Sequence, residues 1–250
     1  SESFVYAILE IDKEGRTIRE ESDHSLFPHR PVQTCQGILG SFGQHPSTIC
    51  GEIACVIKGN KTDKVSEQIK TAIFKGLSTY IDRYGDKTKV IDTETGTSRL
   101  KQHFDFNQKN NGDIEITVYG LSGHAGSLFQ NDAAITKWAY MMKSLLNARD
   151  ELSMNFKMEV VGCDASNPLI LEGSQGFLPT HEMEVIKTRI KAAFGHGVGQ
   201  YLKDQELPGD TFQYDVSFNK LHNDAFACDP ESDSMQSALE AGVRSGIINK

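Results

Sequence analysis

The chain has no run of about 18 apolar residues, the length that a membrane-spanning helix requires, so we expect no membrane segment. The chain also has no excess of basic residues. The 26 Lys and Arg residues and the 34 Asp and Glu residues give a net charge of -8, which disfavours nucleic acid and anionic membranes as partners. The opening residues SESFVYAILEID lack the basic start and the cleavage site of a secretory signal peptide.

Cysteine is scarce, and its spacing carries no motif. The chain contains five cysteines and no Cys-x-x-Cys pair: Cys35, Cys50, Cys55, Cys163 and Cys228. An odd number without paired spacing indicates neither a disulfide framework nor a zinc ribbon. We therefore expect reduced, mostly buried thiols in a cytoplasmic protein.

The motifs of nucleophilic and nucleotide chemistry are missing as well. The chain has neither the Gly-x-Ser-x-Gly sequence of a hydrolase nucleophile elbow nor the lysine-containing phosphate loop. The glycine-rich stretch GHGVG at 195–199 follows a helix-like segment rather than a strand, which disfavours nucleotide binding.

Metal-ligand patterns are limited to two His-x-Asp sequences, His103 with Asp105 and His222 with Asp224. A catalytic zinc centre needs three or more converging ligands. Neither pair is joined to a Glu-Glu pair or to a second acidic ligand in a matching order. A self-contained metal-dependent hydrolase would have to use these four residues.

Hydrophobic periodicity predicts an alternation of strands and helices. Strands are predicted at 3–11, 51–58, 88–92, 114–118, 155–162, 168–173 and 211–218. Helices are predicted at 63–84, from Ile135 to Leu146 with Asn131 or Asp132 as the cap, and at 231–246. The segment 182–190 fits either a strand or the start of a helix, and the glycines at 195, 197 and 199 disfavour a helix between 183 and 204.

This order of elements predicts an α+β fold of mostly antiparallel sheets with helices on one face, arranged as two similar ferredoxin-like subdomains. The polar stretch that ends in NQKNNGD indicates a boundary. We therefore expect an α+β subdomain at 1–108, a second α+β domain at 109–228, and a C-terminal helix within 229–250.

The stretch Gly123-His124-Ala125-Gly126 is the strongest candidate for chemistry. It stands where a predicted strand ends and a predicted helix is about to begin. Glycines on both sides of a histidine allow a sharp turn and close approach of another molecule. A histidine exposed there can exchange a proton or stabilise an oxyanion. The alternative is a histidine that makes only a local hydrogen bond within the turn.

Residues 114–146 resemble the start of the lid, or dimerisation, domain of zinc-dependent metallopeptidases of the aminoacylase, carboxypeptidase G and desuccinylase type: IEITVYGLSGHAGSLFQNDAAITKWAYMMKSLL. In that family an alternating strand leads into a glycine turn that carries a histidine, and a helix follows. Gly120, His124 and Gly126, followed by Asp132-Ala133-Ala134-Ile135, stand in those places. The family's zinc-binding catalytic domain is not visible in this chain.

The resemblance implies that the chain is a non-catalytic part of a zinc peptidase or amidohydrolase. It implies no cofactor in this chain, zinc in a parent enzyme, and a peptide or N-acyl amino acid as the parent's substrate. His124 would contact the substrate or the oxyanion, with Gly123 and Gly126 allowing close approach. Arg189 would grip a substrate carboxylate. The family also implies a homodimer, or an internal pseudo-dimer of two lid subdomains in one chain.

Two alternatives stay open beside the lid interpretation. One is the self-contained metal-dependent hydrolase built on the two His-x-Asp pairs. The other is a non-enzymatic α+β interaction or assembly module, in which His124 is only a turn residue.

Overall fold

The computed structural model describes residues 2–25, 34–39, 48–59, 63–124, 132–162, 169–176, 178–211, 213–218 and 227–248. Within these ranges the helices are α1 (Glu2–Glu21), α2 (Asp63–Tyr84), α3 (Ala134–Glu151), α4 (Met183–Asp204) and α5 (Asp233–Arg244). The strands are β1 (Thr34–Leu39), β2 (Thr48–Ile49), β3 (Glu52–Lys58), β4 (Phe104–Gln108), β5 (Ile114–Tyr119), β6 (Gly123–His124), β7 (Lys157–Val160) and β8 (Leu171–Gln175). The predicted α+β class is confirmed.

The central feature is an antiparallel sheet of four strands in the order β4-β5-β3-β7. Cys55 in β3 pairs with Ile116 on one side and with Val160 on the other, and all three residues are buried. Their neighbours along each strand lie on the more exposed face, as the alternation predicts. Ile73 of α2 and Met142 of α3 belong to the same apolar core, so these two helices cover the buried face.

The helices with the longest apolar stripes lie where the sequence predicts them. α2 spans 63–84, and Gly85 ends it with a φ of 80° and an N–H donated to the Ile81 carbonyl at 2.8 Å. α3 begins behind Ala133, whose side chain makes no capping bond. The predicted cap Asp132 was wrong, because its carboxylate is used by a buried network instead.

The predicted strand at 3–11 was wrong, because these residues lie in α1, which continues to Glu21. Val5, Ile8, Ile11 and Ile18 of α1 are buried. The helix packs against both α3 and α4, so apolar residues are needed around much of its circumference. That requirement blurs the helical period over the first nine positions and makes them look like a strand.

α4 resolves the ambiguity at 182–190 in favour of a helix, and it continues through all three glycines to Asp204. Two other predicted strands were wrong. Lys87–Lys89 form a 3-10 turn, and Ile91 makes only an isolated bridge to Ser98. Residues 213–218 have no regular secondary structure.

The predicted domain boundary after residue 108 falls in the turn that joins β4 to β5, where the Lys109 N–H donates to the Asp113 carbonyl at 2.8 Å. β3 comes from the predicted first unit, and it pairs with β5 and β7 from the predicted second unit. One sheet therefore joins residues from both sides of the boundary. α5 lies inside the predicted C-terminal helix.

Two short antiparallel ladders complete the described strands, β1 with β8 and β2 with β6. In the part of the chain that the structure describes, no helix has the length and apolar character needed to cross a membrane.

Candidate functional site at the His124 turn

The segment that carries His124 is anchored by backbone hydrogen bonds at the described residues on either side of it. Where β5 ends, the Gly120 N–H donates to the Gly51 carbonyl at 2.7 Å. Leu121 and Asp132 then exchange two backbone bonds, of 2.8 and 3.2 Å. Ala134, at the start of α3, donates to the Cys50 carbonyl at 2.9 Å. Strand end and helix start are thus held side by side on the segment that leads into β3.

Gly120 is required by this arrangement for a steric reason. A Cβ atom at position 120 would lie 2.0 Å from the Asp132 carbonyl oxygen and 2.7 Å from the Ala134 nitrogen. Only a residue without a side chain allows the two backbones to come this close. Gly120 therefore allows the end of β5 to lie in direct contact with the backbone that leads into α3.

His124 lies in β6, with its backbone paired to Thr48, and Gly123 is paired to Ile49. The backbone of the predicted histidine is therefore placed in a short ladder beside the main sheet. The side chain of His124 and the whole of Gly126 fall outside the part of the chain that the structure describes.

A buried ionic network lies at the base of the turn. The Lys137 ammonium donates to the Asp132 carboxylate and, at 2.6 Å, to the Tyr119 carbonyl. The Tyr80 hydroxyl donates to the other oxygen of Asp132 at 2.5 Å. Lys137 is 0% exposed, Asp132 2% and Tyr80 3%. The network links α2, the end of β5 and the start of α3.

Burial controls the protonation of this network. Desolvation lowers the pKa of Lys137, although the nearby Asp132 carboxylate acts in the opposite direction. Desolvation also raises the pKa of Tyr80 well above its ordinary value, and the adjacent Asp132 charge acts in the same direction. The tyrosine therefore stays a neutral hydrogen-bond donor.

His103 lies next to this network. Its backbone carbonyl accepts the Tyr119 N–H at 2.8 Å, and its Nε2 lies 3.0 Å from the Asp86 carboxylate. Its buried Nδ1 has no hydrogen-bond partner among the described residues. Desolvation and the charge of Lys137 lower the pKa of His103, whereas Asp86 acts to raise it. Since protonation would place an unpaired N–H at Nδ1, this ring is held neutral, with its proton on Nε2.

The predicted metal pair of His103 and Asp105 is not assembled. His103 is directed to Asp86, whereas Asp105 accepts hydrogen bonds from Tyr119 at 2.7 Å and from Gln102 at 2.6 Å. The second pair, His222 with Asp224, lies outside the described residues. Among the residues that the structure does describe, no three His, Cys, Asp or Glu side chains group as metal ligands.

Arg189 does not share the setting of His124. It lies on α4 and joins that helix to α1, donating from Nε to Glu14 at 2.5 Å and from Nη1 to Glu21 at 2.6 Å. Hydrogen bonds to these two carboxylates raise its pKa. Its guanidinium is therefore already engaged by acidic groups of its own chain.

The cysteines described by the structure are Cys50, Cys55 and Cys228, and all three are free thiols. Cys55 is buried in the sheet, and desolvation raises its pKa to about 12. Cys50 is partly buried and Cys228 is exposed. The expectation of mostly buried thiols thus applies fully to Cys55 alone among these three.

A separate groove of about 650 Å³ runs between α2 and α3. The two helices are in close contact at Gly76, where an added Cβ atom would lie 2.5 Å from the Tyr140 carbonyl oxygen. The lining of the groove includes Gly76 and Tyr140 and reaches Leu152. Its lining contains no histidine or cysteine, and its acidic residues are Glu67 and Glu151. Its basic residues are Lys64, Lys75 and Lys143.

Sequence reasoning selected the segment between Gly120 and Asp132 but missed the buried network beside its ends. The signal was a charged residue, Lys137, inside an otherwise apolar helical stripe that includes Ile135, Trp138 and Met141. A lysine at such a position needs a buried acidic partner. The position of Asp132, five residues earlier, instead predicts a helix cap, and the alternative cap Asn131 lies outside the described residues.

Comparison of the chain with protein-family models, with curated proteins and with solved structures finds no significant match in any of the three.

Proposed function

We propose that this chain is a lid or dimerisation module of a zinc-dependent metallopeptidase or amidohydrolase, and that it presents His124 to an active site completed by other segments. The observation that carries the proposal is the frame of the turn. A strand ends at Gly120, the chain closes on itself through the bridge between Leu121 and Asp132, and a helix follows directly. This is the order of elements that the resemblance implies.

The chemistry proposed for His124 is that of a contributed residue. An imidazole N–H aimed at a scissile carbonyl stabilises the negative charge that develops on its oxygen. Gly123 and Gly126 leave room for a peptide or N-acyl amino acid to approach the backbone. In this proposal, other segments of a parent enzyme hold the zinc. No role in substrate binding is assigned to Arg189, because Glu14 and Glu21 already engage it.

The homodimer is part of the same proposal, and β7 supports it. β7 is the last strand in the order of the described sheet. Antiparallel pairing of two β7 strands about Met158 would place Lys157 of one copy opposite Glu159 of the other, twice, beside the ion pair that Glu159 makes with Lys58 of its own chain. Such a contact is self-complementary in charge and has two-fold symmetry. A cytoplasmic location also belongs to the proposal, and the free thiols Cys50, Cys55 and Cys228 support it.

The first test is the reading frame that encodes the chain. The proposal expects flanking segments with an apolar strand followed by His-x-Asp and, further along, a Glu-Glu pair. A frame that encodes these 250 residues alone would contradict it. Zinc-supplemented assays of the chain alone, on dipeptides and N-acyl amino acids, should show no hydrolysis; robust turnover would favour a self-contained hydrolase.

The second test isolates His124. The chain replaces the lid of an aminoacylase-type peptidase, either unchanged or with His124→Ala. The unchanged chimera should hydrolyse its substrate, and the variant should lose about 100- to 1,000-fold in kcat. Zinc content and molecular mass of both chimeras serve as controls for folding. Equal activity of two correctly folded chimeras would leave the non-enzymatic assembly module as the better interpretation.

A further inference from the structure

We infer that α5 of one copy of the chain docks into the groove between α2 and α3 of a second copy, so that this groove is an interface between copies. The contact is separate from the β7 pairing and requires no role for His124. Three features support it: a helix whose apolar side chains are exposed, an open groove of matching length, and opposite charges at corresponding ends.

α5 has the pattern of a helix that binds through one face. Met235, Leu239 and Gly242 follow one another at steps of four and three, so they share one side of the helix. Beyond the helix the chain turns at Gly246, which has a φ of 71°, and the Ile248 side chain lies against Gly242 and extends the same stripe. No residue of α5 is buried, and Met235, Leu239 and Ile248 are 38%, 42% and 40% exposed. This spacing is typical of a helix that binds in an apolar groove.

The groove between α2 and α3 has the length that α5 requires. Its lining runs from the contact of Gly76 with Tyr140 back along α2 to Lys64 and forward along α3 to Leu152. Gly76 and Lys64 are twelve residues apart, which is about 18 Å of helix. The twelve residues of α5 span the same length, about 18 Å. The apolar lining includes Leu9, Ala72, Ala148 and Leu152.

The two ends of the groove differ in charge. The end at Gly76 carries Lys75 and Lys143, and Lys75 is the more exposed of the two. The opposite end carries the carboxylates of Glu67 and Glu151 beside one lysine. The groove therefore has a positive end and a negative end.

α5 has the complementary distribution of charge. Asp229, Glu231 and Asp233 lie in its first turn or just before it, and Arg244 lies in its last turn. When the acidic start of α5 lies beside Lys75, its basic end reaches the negative end of the groove. In this direction the apolar stripe faces the groove and each charged end meets its opposite.

A second copy is the occupant that fits the arrangement of a single copy. Within one copy the groove is open and α5 has no buried residue, so α5 does not fill the groove of its own chain. Reciprocal exchange of α5 between two copies would fill both grooves and close the pair with two-fold symmetry. It would also remove the exposed stripe of each copy from water.

The experiment joins carboxylates to lysines in the full chain with a zero-length carbodiimide reagent. Unlabelled and isotope-labelled protein are mixed, equilibrated and cross-linked, and the linked peptides are identified by mass spectrometry. A link from Lys75 to Glu231 or Asp233 that joins one labelled and one unlabelled peptide reports a contact between copies. Leu239→Asp places a charge in the apolar stripe, and Ser237→Asp places the same charge on the opposite side of α5 as the matched control. Both variants should fold, because no residue of α5 is buried.

The wild type and Ser237→Asp should both give mixed-isotope links between Lys75 and the acidic start of α5, and Leu239→Asp should reduce them about tenfold or more. Links that join only peptides of the same isotope would place α5 in the groove of its own chain and overturn the inference. Absence of the links, or links of wild-type intensity in Leu239→Asp, would overturn it as well. Failure of the lid proposal would leave all of these links unchanged, because neither α5 nor the groove contains His124 or a residue of β7.

Discussion

Gly197 of α4 packs directly against Ala7 of α1. A Cβ atom on Gly197 would lie 2.5 Å from the Ala7 Cα and 2.7 Å from its nitrogen, and Ala7 is completely buried. The neighbouring glycines are placed differently. A Cβ on Gly195 would meet the Tyr214 hydroxyl at 2.9 Å, and one on Gly199 would meet nothing within 4 Å. The three glycines of one helix thus have three distinct environments.

Gly197→Ala should therefore destabilise the protein by about 1–3 kcal/mol, because the added methyl group forces α1 and α4 apart. Gly199→Ala, two residues away in the same helix, should stabilise it by about 0.5–1 kcal/mol through helix propensity alone. Urea denaturation followed by circular dichroism measures both. Equal effects of the same sign would show that the two helices do not make this contact.

Gly120→Ala should disrupt the base of the His124 turn, because the new Cβ would overlap the Asp132 carbonyl oxygen. Overpacking typically costs about 1–3 kcal/mol. Because this overlap is with backbone atoms, we expect the free energy of unfolding to fall by about 3 kcal/mol or more. Gly209→Ala is the control, since a Cβ there would meet nothing within 4 Å. Thermal unfolding of the two variants should separate them clearly, and a wild-type midpoint for Gly120→Ala would contradict the described backbone approach.

Lys137→Met should cost about 3–5 kcal/mol, because it leaves the Asp132 carboxylate buried without its cation. Addition of Asp132→Asn should restore part of that loss, since the double variant contains no uncompensated charge. Lys143→Met, at a partly exposed ion pair, should cost about 1 kcal/mol or less. Chemical denaturation of the wild type, the two single lysine variants and the double variant forms the test. If Lys137→Met alone is as stable as the double variant, the buried ion pair is excluded.

The stability of the protein should decrease as the pH falls below neutrality, and His181 provides one reason. Its Nδ1 accepts the Leu178 N–H at 3.2 Å. Its Nε2 therefore donates to Ser22, at 2.9 Å, while the Ser22 hydroxyl donates to the Ile18 carbonyl at 2.5 Å. A second proton would have to be placed on Nδ1, against the Leu178 donor.

Desolvation, followed by the charge of Arg189, lowers the pKa of His181, and desolvation lowers that of His103. The unfolded chain, with a histidine pKa of about 6.5, takes up protons first as the pH falls. With respect to these histidines, the free energy of unfolding should thus be constant between about pH 7 and about pH 8 and should decrease as the pH falls from about 6.5 towards about 5. His181→Gln should flatten this dependence. A wild-type profile that is flat over this interval would rule out neutral buried histidines.

Local signals were sufficient for α2. Its apolar residues keep a helical spacing over six turns, and Gly85 terminates it by adopting a backbone conformation that other residues avoid. β3 and β5 could also be predicted from the sequence, because one face of each strand is buried and the other is more exposed. In these elements one neighbouring surface decides the pattern, so the pattern can be recognised without knowing the neighbour.

α1 and α4 could not be predicted from local sequence signals in the same way. α1 is packed on two sides, and α4 carries glycines whose purpose is a close approach to α1. A glycine in a helix lowers its intrinsic propensity, and only the contact across to Ala7 shows what offsets that cost. The strand predicted at 3–11 and the helix disfavoured between 183 and 204 are thus errors with one origin, since α1 and α4 are stabilised by their contact with each other.

The sequence by itself determined the α+β class, the long helix α2 and the central strands. Only the tertiary structure decided that Asp132 is a buried ion-pair partner rather than a helix cap, and that Lys137 and Tyr80 belong beside it. The physical reason is the distance along the chain. Periodicity and turn chemistry act between near neighbours, whereas a buried charge is compensated by whichever residue the fold brings within hydrogen-bond reach, here Tyr80, 52 positions away.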